Sequence, residues 1–160
     1  MTSAIIETNL GSIEFSLLPE LAPETVRNFV TLTKSEFYNG TLFHRVIPGF
    51  MIQGGDPNTK NPNMKSQWGM GGPGFNVKAE FSSRSHLEGI VSMARATDPD
   101  SAGSQFFIVT KDSTFLDREY TVFGEVTEGM DVAHKIESLD RDGNDCPHED
   151  AKMLKVSISE

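Results

Sequence analysis

Hydrophobic and polar residues alternate in short bursts along this chain, and only twice does the period lengthen to that of a helix. Residues 4–8 (A-I-I-E-T) and 12–17 (S-I-E-F-S-L) follow a period of two on either side of Asn9-Leu10-Gly11. Successive strand side chains point to opposite faces, so this predicts an opening hairpin with Gly11 in a left-handed position. Residues 42–46 and 50–53 flank Pro48-Gly49 and predict a second hairpin. Further strand-like runs cover residues 75–81, 90–94, 105–109, 120–123 and 153–158. Val26, Phe29, Val30 and Thr33 recur at helical spacing behind Pro23 and Glu24, which suit a first helical turn. That helix should end before the Asn39-Gly40 turn. Met130, Ala133 and Ile136, with Val132 beside them, mark a second short helix. No strand–helix–strand rhythm is sustained. The pattern predicts a mainly β, antiparallel fold of about eight strands, closed or sandwiched, with two helices at its ends.

One residue of the second hairpin is out of character. Arg45 stands in an apolar run, in phase with Phe43, and beyond the turn Met51 and Gln53 alternate with Phe50 and Ile52. One face of the hairpin can therefore carry Arg45 and Gln53 while the other feeds a core. An arginine on an apolar strand is costly unless its guanidinium meets a partner. Residues 56–74 then form a long irregular segment, of the kind that often carries function. Its Trp68, the only tryptophan, reads as an anchor packing the loop onto the barrel. Gly69, Gly71 and Gly74 satisfy G-x-G-x-x-G, but no strand precedes them and Pro73 interrupts, so a dinucleotide site is not indicated.

Length and charge narrow the field. The 160 residues show no linker composition and no repeat, which predicts one domain over 1–160 with a substantial core. A net charge of −9 argues against nucleic acid and anionic membranes as partners. No apolar run approaches a membrane span, and no basic-then-apolar leader is present. Cys146 is the single cysteine and forbids an internal disulfide. These features fit a reducing cytoplasm.

The sequence bears on three kinds of chemistry. Covalent hydrolysis is disfavoured: no serine lies in G-x-S-x-G, and Cys146 sits in the acidic loop 140–150, a poor place to stabilise a thiolate. His44 alternates away from Arg45 and reads as a hydrogen-bonded core histidine. Metal binding is also disfavoured. Asp140, Asp142 and Asn144 begin like a calcium loop, but Asp145 replaces its glycine and Ala151 its glutamate. Cys146 and His148 have no second pair of zinc ligands. The third set is polar and aromatic. Arg45, Met51 and Gln53 share one face, and Gln105 and Phe107 share another. An apolar recess rimmed by guanidinium and amide groups suits a peptide.

Residues 43–56 (F-H-R-V-I-P-G-F-M-I-Q-G-G-D) resemble the signature of the cyclophilin family. So do A-P-E-T-V-R-N at 22–28, G-G-P-G-F before Ala79-Glu80-Phe81, G-I-V-S-M-A at 89–94, G-S-Q-F-F-I at 103–108, and Phe115-Leu116-Asp117 leading to Val122-Phe123-Gly124. The likeness runs in order through essentially the whole chain. It implies a closed eight-stranded antiparallel β-barrel capped by two α-helices, acting as a monomer. It also implies peptidyl-prolyl cis–trans isomerisation of proline-containing peptides and folding proteins without a cofactor or metal. Arg45 and Gln53 would be catalytic. Phe50, Met51, Phe107 and Leu116 would hold the proline ring, Ala94 and the main chain of Arg95 the residue before it, and Gln105 would line the groove. Three positions depart from the commonest pattern: Phe115 replaces a tryptophan, Tyr120 a histidine and Arg95 an asparagine. Phe115 lacks an indole donor, which implies weakened cyclosporin binding, and Arg95 could turn preference towards acidic substrates. The alternative is a cyclophilin-like module or chaperone that holds proline segments with little turnover. Retention of Arg45 favours the enzyme.

Overall fold

The computed structural model of this protein describes residues 2–160. Its strands are β1 (Ser3–Thr8), β2 (Gly11–Leu17), β3 (Arg45–Ile47), β4 (Met51–Gly54), β5 (Ile90–Met93), β6 (Phe106–Val109), β7 (Val122–Glu128) and β8 (Met153–Ser159). Its helices are α1 (Pro23–Lys34) and α2 (Met130–Glu137). The strands form one sheet of eight, in the order β3-β4-β6-β5-β7-β2-β1-β8, with every pairing antiparallel.

The sheet curls until its two edges meet, but the ladder does not run all the way round. β3 and β8 are joined through the residues that precede them. Leu42 bridges Lys152, Gly40 N donates to Met153 O at 2.7 Å, and Phe43 N donates to Ala151 O at 2.9 Å. "Closed" thus describes a barrel with an irregular seam. The seam is tight. A Cβ on Gly54 would stand 2.6 Å from Met153 Cε and 2.8 Å from the Leu42 carbonyl oxygen, a spacing only glycine accommodates.

Alternation along the strands makes two apolar groups. Phe15, Phe43, Ile52, Phe106, Ile108 and Phe123 face the interior, where α1 adds Phe29. Phe29 is 1% exposed and its ring meets those of Phe15, Tyr38, Phe106 and Phe123 at 5.1–5.8 Å. The alternate residues Met51, Phe107, Val109 and Val122 point outward and gather with Leu116 into a second cluster. β6 is buried on both faces, so its sequence F-F-I-V is wholly apolar.

Three segments differ from expectation. Residues 75–81 are extended but pair with no strand; their amides are taken singly, by Ala102 O, the Asp100 carboxylate and the Thr121 hydroxyl. Phe75 and Phe81 are accordingly exposed. Residues 56–74 are not structureless. Asp56, fully buried, accepts from Asn58 N and Gly71 N and, at 2.5 Å, from Gly69 N, folding the loop back over two 3-10 turns, Pro57–Lys60 and Pro62–Gln67. Trp68 is half-buried and anchors this loop, its indole N–H donating to Asn61 O and Lys65 lying over its ring. The first helix also has a cap that local sequence does not contain. Ala22 offers no capping side chain, and the amides of Glu24 and Thr25 donate instead to the carboxylate of Glu80, at 3.2 and 2.7 Å.

Candidate active site

The β3–β4 hairpin presents the site because of its turn. Phe50 N donates to Ile47 O, Pro48 takes the first corner, and Gly49 takes the second with φ +74°, as a type II turn requires. In this register Arg45 pairs with Gln53, and Gln53 with Phe107 of β6. Arg45, Met51, Gln53 and Phe107 therefore share the outer face of the sheet.

Behind the turn stands a charged support. Glu137 of α2 accepts from Gly49 N at 2.8 Å and from His134 Nδ1 at 2.6 Å, and Glu88 lies 3.3 Å from His134 Nε2. The hydrogen bond with Glu137 raises the His134 pKa above its ordinary value. Burial works to raise that of Glu137, but its bonds from His134 and Gly49 outweigh this and hold it low. The signs are opposite. The glutamate's contribution is present above about pH 4.3 and lost as pH falls; the histidine's is complete below about pH 6.5 and lost as pH rises through its raised pKa. Thermal unfolding should show the largest difference between unmutated protein and His134→Gln between these limits, shrinking on the alkaline side. A gap that widens with alkalinity would contradict the assignment.

A cavity of about 150 Å³ opens on the outer face, lined by Arg45, Phe50, Met51, Gln53, Ala94, Arg95, Phe107, Leu116 and Tyr120. Nine of the residues singled out from sequence thus meet at one place. The other two adjoin it. Gln105 lines a larger neighbouring groove of about 550 Å³. Phe115 stands at the rim, 69% exposed, its ring 5.5 Å from that of Phe50. Met51, Phe107 and Leu116 are buried while Arg45 is exposed at the mouth, so the cavity has an apolar floor and a cationic lip.

A chain of amides holds that lip. Arg45 Nη1 lies 3.4 Å from Gln53 Oε1, and Gln53 Nε2 donates to Gln105 Oε1 at 3.0 Å. Gln105 Nε2 in turn donates to the carbonyls of Gly69 and Gly71, the residues that Asp56 folds back. The bond from Arg45 is the longest of the set.

Beneath the floor lies an arrangement that sequence reading missed. His86 Nδ1 is 3.1 Å from Asp117 Oδ1 and its Nε2 is 3.0 Å from Ser92 Oγ, which also lies 2.9 Å from Thr121 O. Ser85 and the His86 amide complete the bonds to Asp117. Burial lowers the His86 pKa, against the bond and charge of Asp117, which work to raise it. The order Asp–His–Ser is that of a hydrolase, but His86 and Ser92 are both 0% exposed, so no substrate reaches them. The imidazole instead stacks on Phe107 at 6.2 Å and 17° and fixes the cavity floor. One signal was available: Ser92 interrupts an apolar run, and a buried hydroxyl needs a partner.

The other candidates fall away. His44 is buried as expected, and burial lowers its pKa, but among the described residues its Nδ1 has no partner within hydrogen-bond geometry. Burial raises the Cys146 pKa, which favours the thiol. Asp142 accepts from Asn144 N and Cys146 N as a turn, and among the described residues no cluster of three or more metal-ligating side chains occurs.

Comparison with known proteins decides the family. The family described as "cyclophilin type peptidyl-prolyl cis-trans isomerase/CLD" matches residues 3–158. The chain belongs to it. A protein of Arabidopsis thaliana named peptidyl-prolyl cis-trans isomerase CYP71 is 44% identical over 156 residues, covering 98% of this chain and 24% of its own length. The chain thus spans about a quarter of that relative. A peptidyl-prolyl cis-trans isomerase of Acinetobacter baylyi is 42% identical, covering 98% of this chain and 85% of its own. Among solved structures, a cyclophilin-type isomerase of Cryptosporidium parvum, crystallised in the presence of the dipeptide Ala-Pro, superposes with a TM-score of 0.89 at 32% identity, covering 99% of both chains. Eight antiparallel strands and two helices are thus the cyclophilin-type fold.

Proposed function

We propose that this cyclophilin-type chain catalyses rotation about X-Pro bonds in peptides and folding proteins. The observation that carries the reading is Arg45, exposed at the lip of an apolar cavity and tethered by Gln53. The Ala-Pro dipeptide named with the Cryptosporidium structure supports a proline ligand here. Rotation faces a barrier of about 18–20 kcal/mol because the nitrogen lone pair is delocalised into the carbonyl. No bond breaks, so the reaction calls for no nucleophile and no cofactor. A donor aimed at the prolyl nitrogen favours the localised lone pair of the twisted amide; one that holds the adjoining carbonyl restrains one side while the other turns. Arg45 supplies either through the N–H donors of its guanidinium. Phe50, Met51, Phe107 and Leu116 grip the ring, Gln53 orients Arg45, and the main chain at Ala94 and Arg95 receives the preceding residue. Both halves of the site come from one chain, which supports action as a monomer. The single cysteine, held as a thiol, supports a cytoplasmic setting. A protease-coupled assay on a short X-Pro peptide should show acceleration proportional to protein added; its absence would overturn the proposal.

The same site bears on cyclosporin. Phe115 offers a ring at the rim but no N–H, so Phe115→Trp is expected to tighten cyclosporin binding by about 2- to 10-fold, the worth of one hydrogen bond. Calorimetric titration of both proteins reads this directly, and equal affinities would contradict it.

A further inference from the structure

The side chain of Arg95 does not lie free in the groove. Its Nε and Nη2 both donate to Glu119 O, at 3.0 and 2.8 Å, and its Nη1 donates to Ala96 O and Thr97 O, at 3.0 and 3.2 Å. The guanidinium also lies 4.7 Å from the centre of the Tyr120 ring. Tyr120 in turn meets Phe107 edge-on at 5.7 Å.

These contacts join two stretches that both line the cavity. Ala94 and Arg95 follow β5 and separate the 150 Å³ cavity from the 550 Å³ groove beside it. Residues 117–120 return from the 3-10 turn Thr114–Leu116 through Arg118, whose φ is +66°, an uncommon backbone for a residue with a Cβ. Neither stretch belongs to a strand: they leave the β5–β7 ladder together, where Met93 N donates to Thr121 O at 3.0 Å, and beyond that bond the guanidinium joins them. A planar fork can bond several carbonyls while its face covers an aromatic ring, whereas an ammonium cannot do both in one plane.

The geometry points to Arg95 as a positioning residue. Its guanidinium fixes the gap between the wall that receives the residue before proline and the Tyr120 side of the proline pocket. This rests on the site being a proline-peptide site, and it replaces the expectation of a free cation selecting acidic substrates. The role belongs to the fork and not to the charge.

Charge and shape separate in Arg95→Lys, which keeps one and loses the other, and in Arg95→Ala, which loses both. Dissociation constants for Ala-Pro, Leu-Pro and Glu-Pro tetrapeptides can be read from NMR shift titrations, alongside kcat, KM and thermal unfolding. Both variants are expected to weaken binding of all three peptides alike, by about tenfold, raising KM more than they lower kcat and leaving the unfolding temperature nearly unchanged. Direct titration reads this even where turnover is absent, so failure of the isomerase reading would not mask it. If Arg95→Lys binds as the unmutated protein does and Arg95→Ala loses only Glu-Pro, the charge acts and the inference fails. Unchanged affinities in both variants overturn it as well.

Discussion

Arg45→Ala should lower kcat/KM for a short X-Pro peptide by about a hundredfold or more, the loss typical when one preorganised donor is removed from a transition state. The fold should survive. Arg45 is exposed and its bond to Gln53 is long. The change in unfolding free energy should stay within about 0.5 kcal/mol, as for surface substitutions generally. Arg45→Lys separates charge from geometry. An ammonium retains the charge but lacks the planar fork, so its activity should fall between the two. If Arg45→Ala keeps near-full activity, stabilisation of the twisted amide by this side chain is wrong.

The largest effect on stability is expected at Phe29. Its ring is the meeting point of four others inside the barrel, and it carries the apolar face of α1 into the sheet. Phe29→Ala removes that contact and leaves a cavity among rigid rings drawn from Tyr38, β2, β6 and β7. Those strands are tied by ladders and cannot collapse to fill it. A loss of about 3–5 kcal/mol follows, read as a lower urea midpoint at unchanged slope. A loss below about 1 kcal/mol would mean that the core repacks freely. The two substitutions are complementary: one removes function with the fold intact, and the other weakens the fold at a residue that does not line the cavity.

How much of this was legible in the sequence depends on how far apart the partners lie. Arg45, Met51 and Gln53 could be placed on one face because a single hairpin carries them and its period is two. Both helices were visible from spacing. What no local pattern holds is convergence. Ala94, Phe107, Leu116 and Tyr120 reach Arg45 only through the order β3-β4-β6-β5, and family resemblance supplied that where periodicity could not. Residues 75–81 imitate a strand because alternation records extended backbone; it does not reveal whether amides meet another strand or, as here, scattered acceptors. Glu80 capping α1 from 55 residues away leaves no local trace either. Arg95 is the most instructive case. Its type suggested a charge offered to substrate, yet its guanidinium is turned to three backbone carbonyls and one ring.

Exchange spectroscopy by NMR on an X-Pro tetrapeptide, with the unmutated protein in substoichiometric amount, tests the central claim most directly. Uncatalysed isomerisation takes tens to hundreds of seconds and gives no cross-peaks between cis and trans signals on the spectroscopic timescale. With catalysis those cross-peaks appear and grow with protein concentration, and Arg45→Ala abolishes them while the peptide still binds. Shifts that report binding by the unmutated protein without any exchange between cis and trans would contradict it, and would make the chain a holder of proline segments rather than an isomerase.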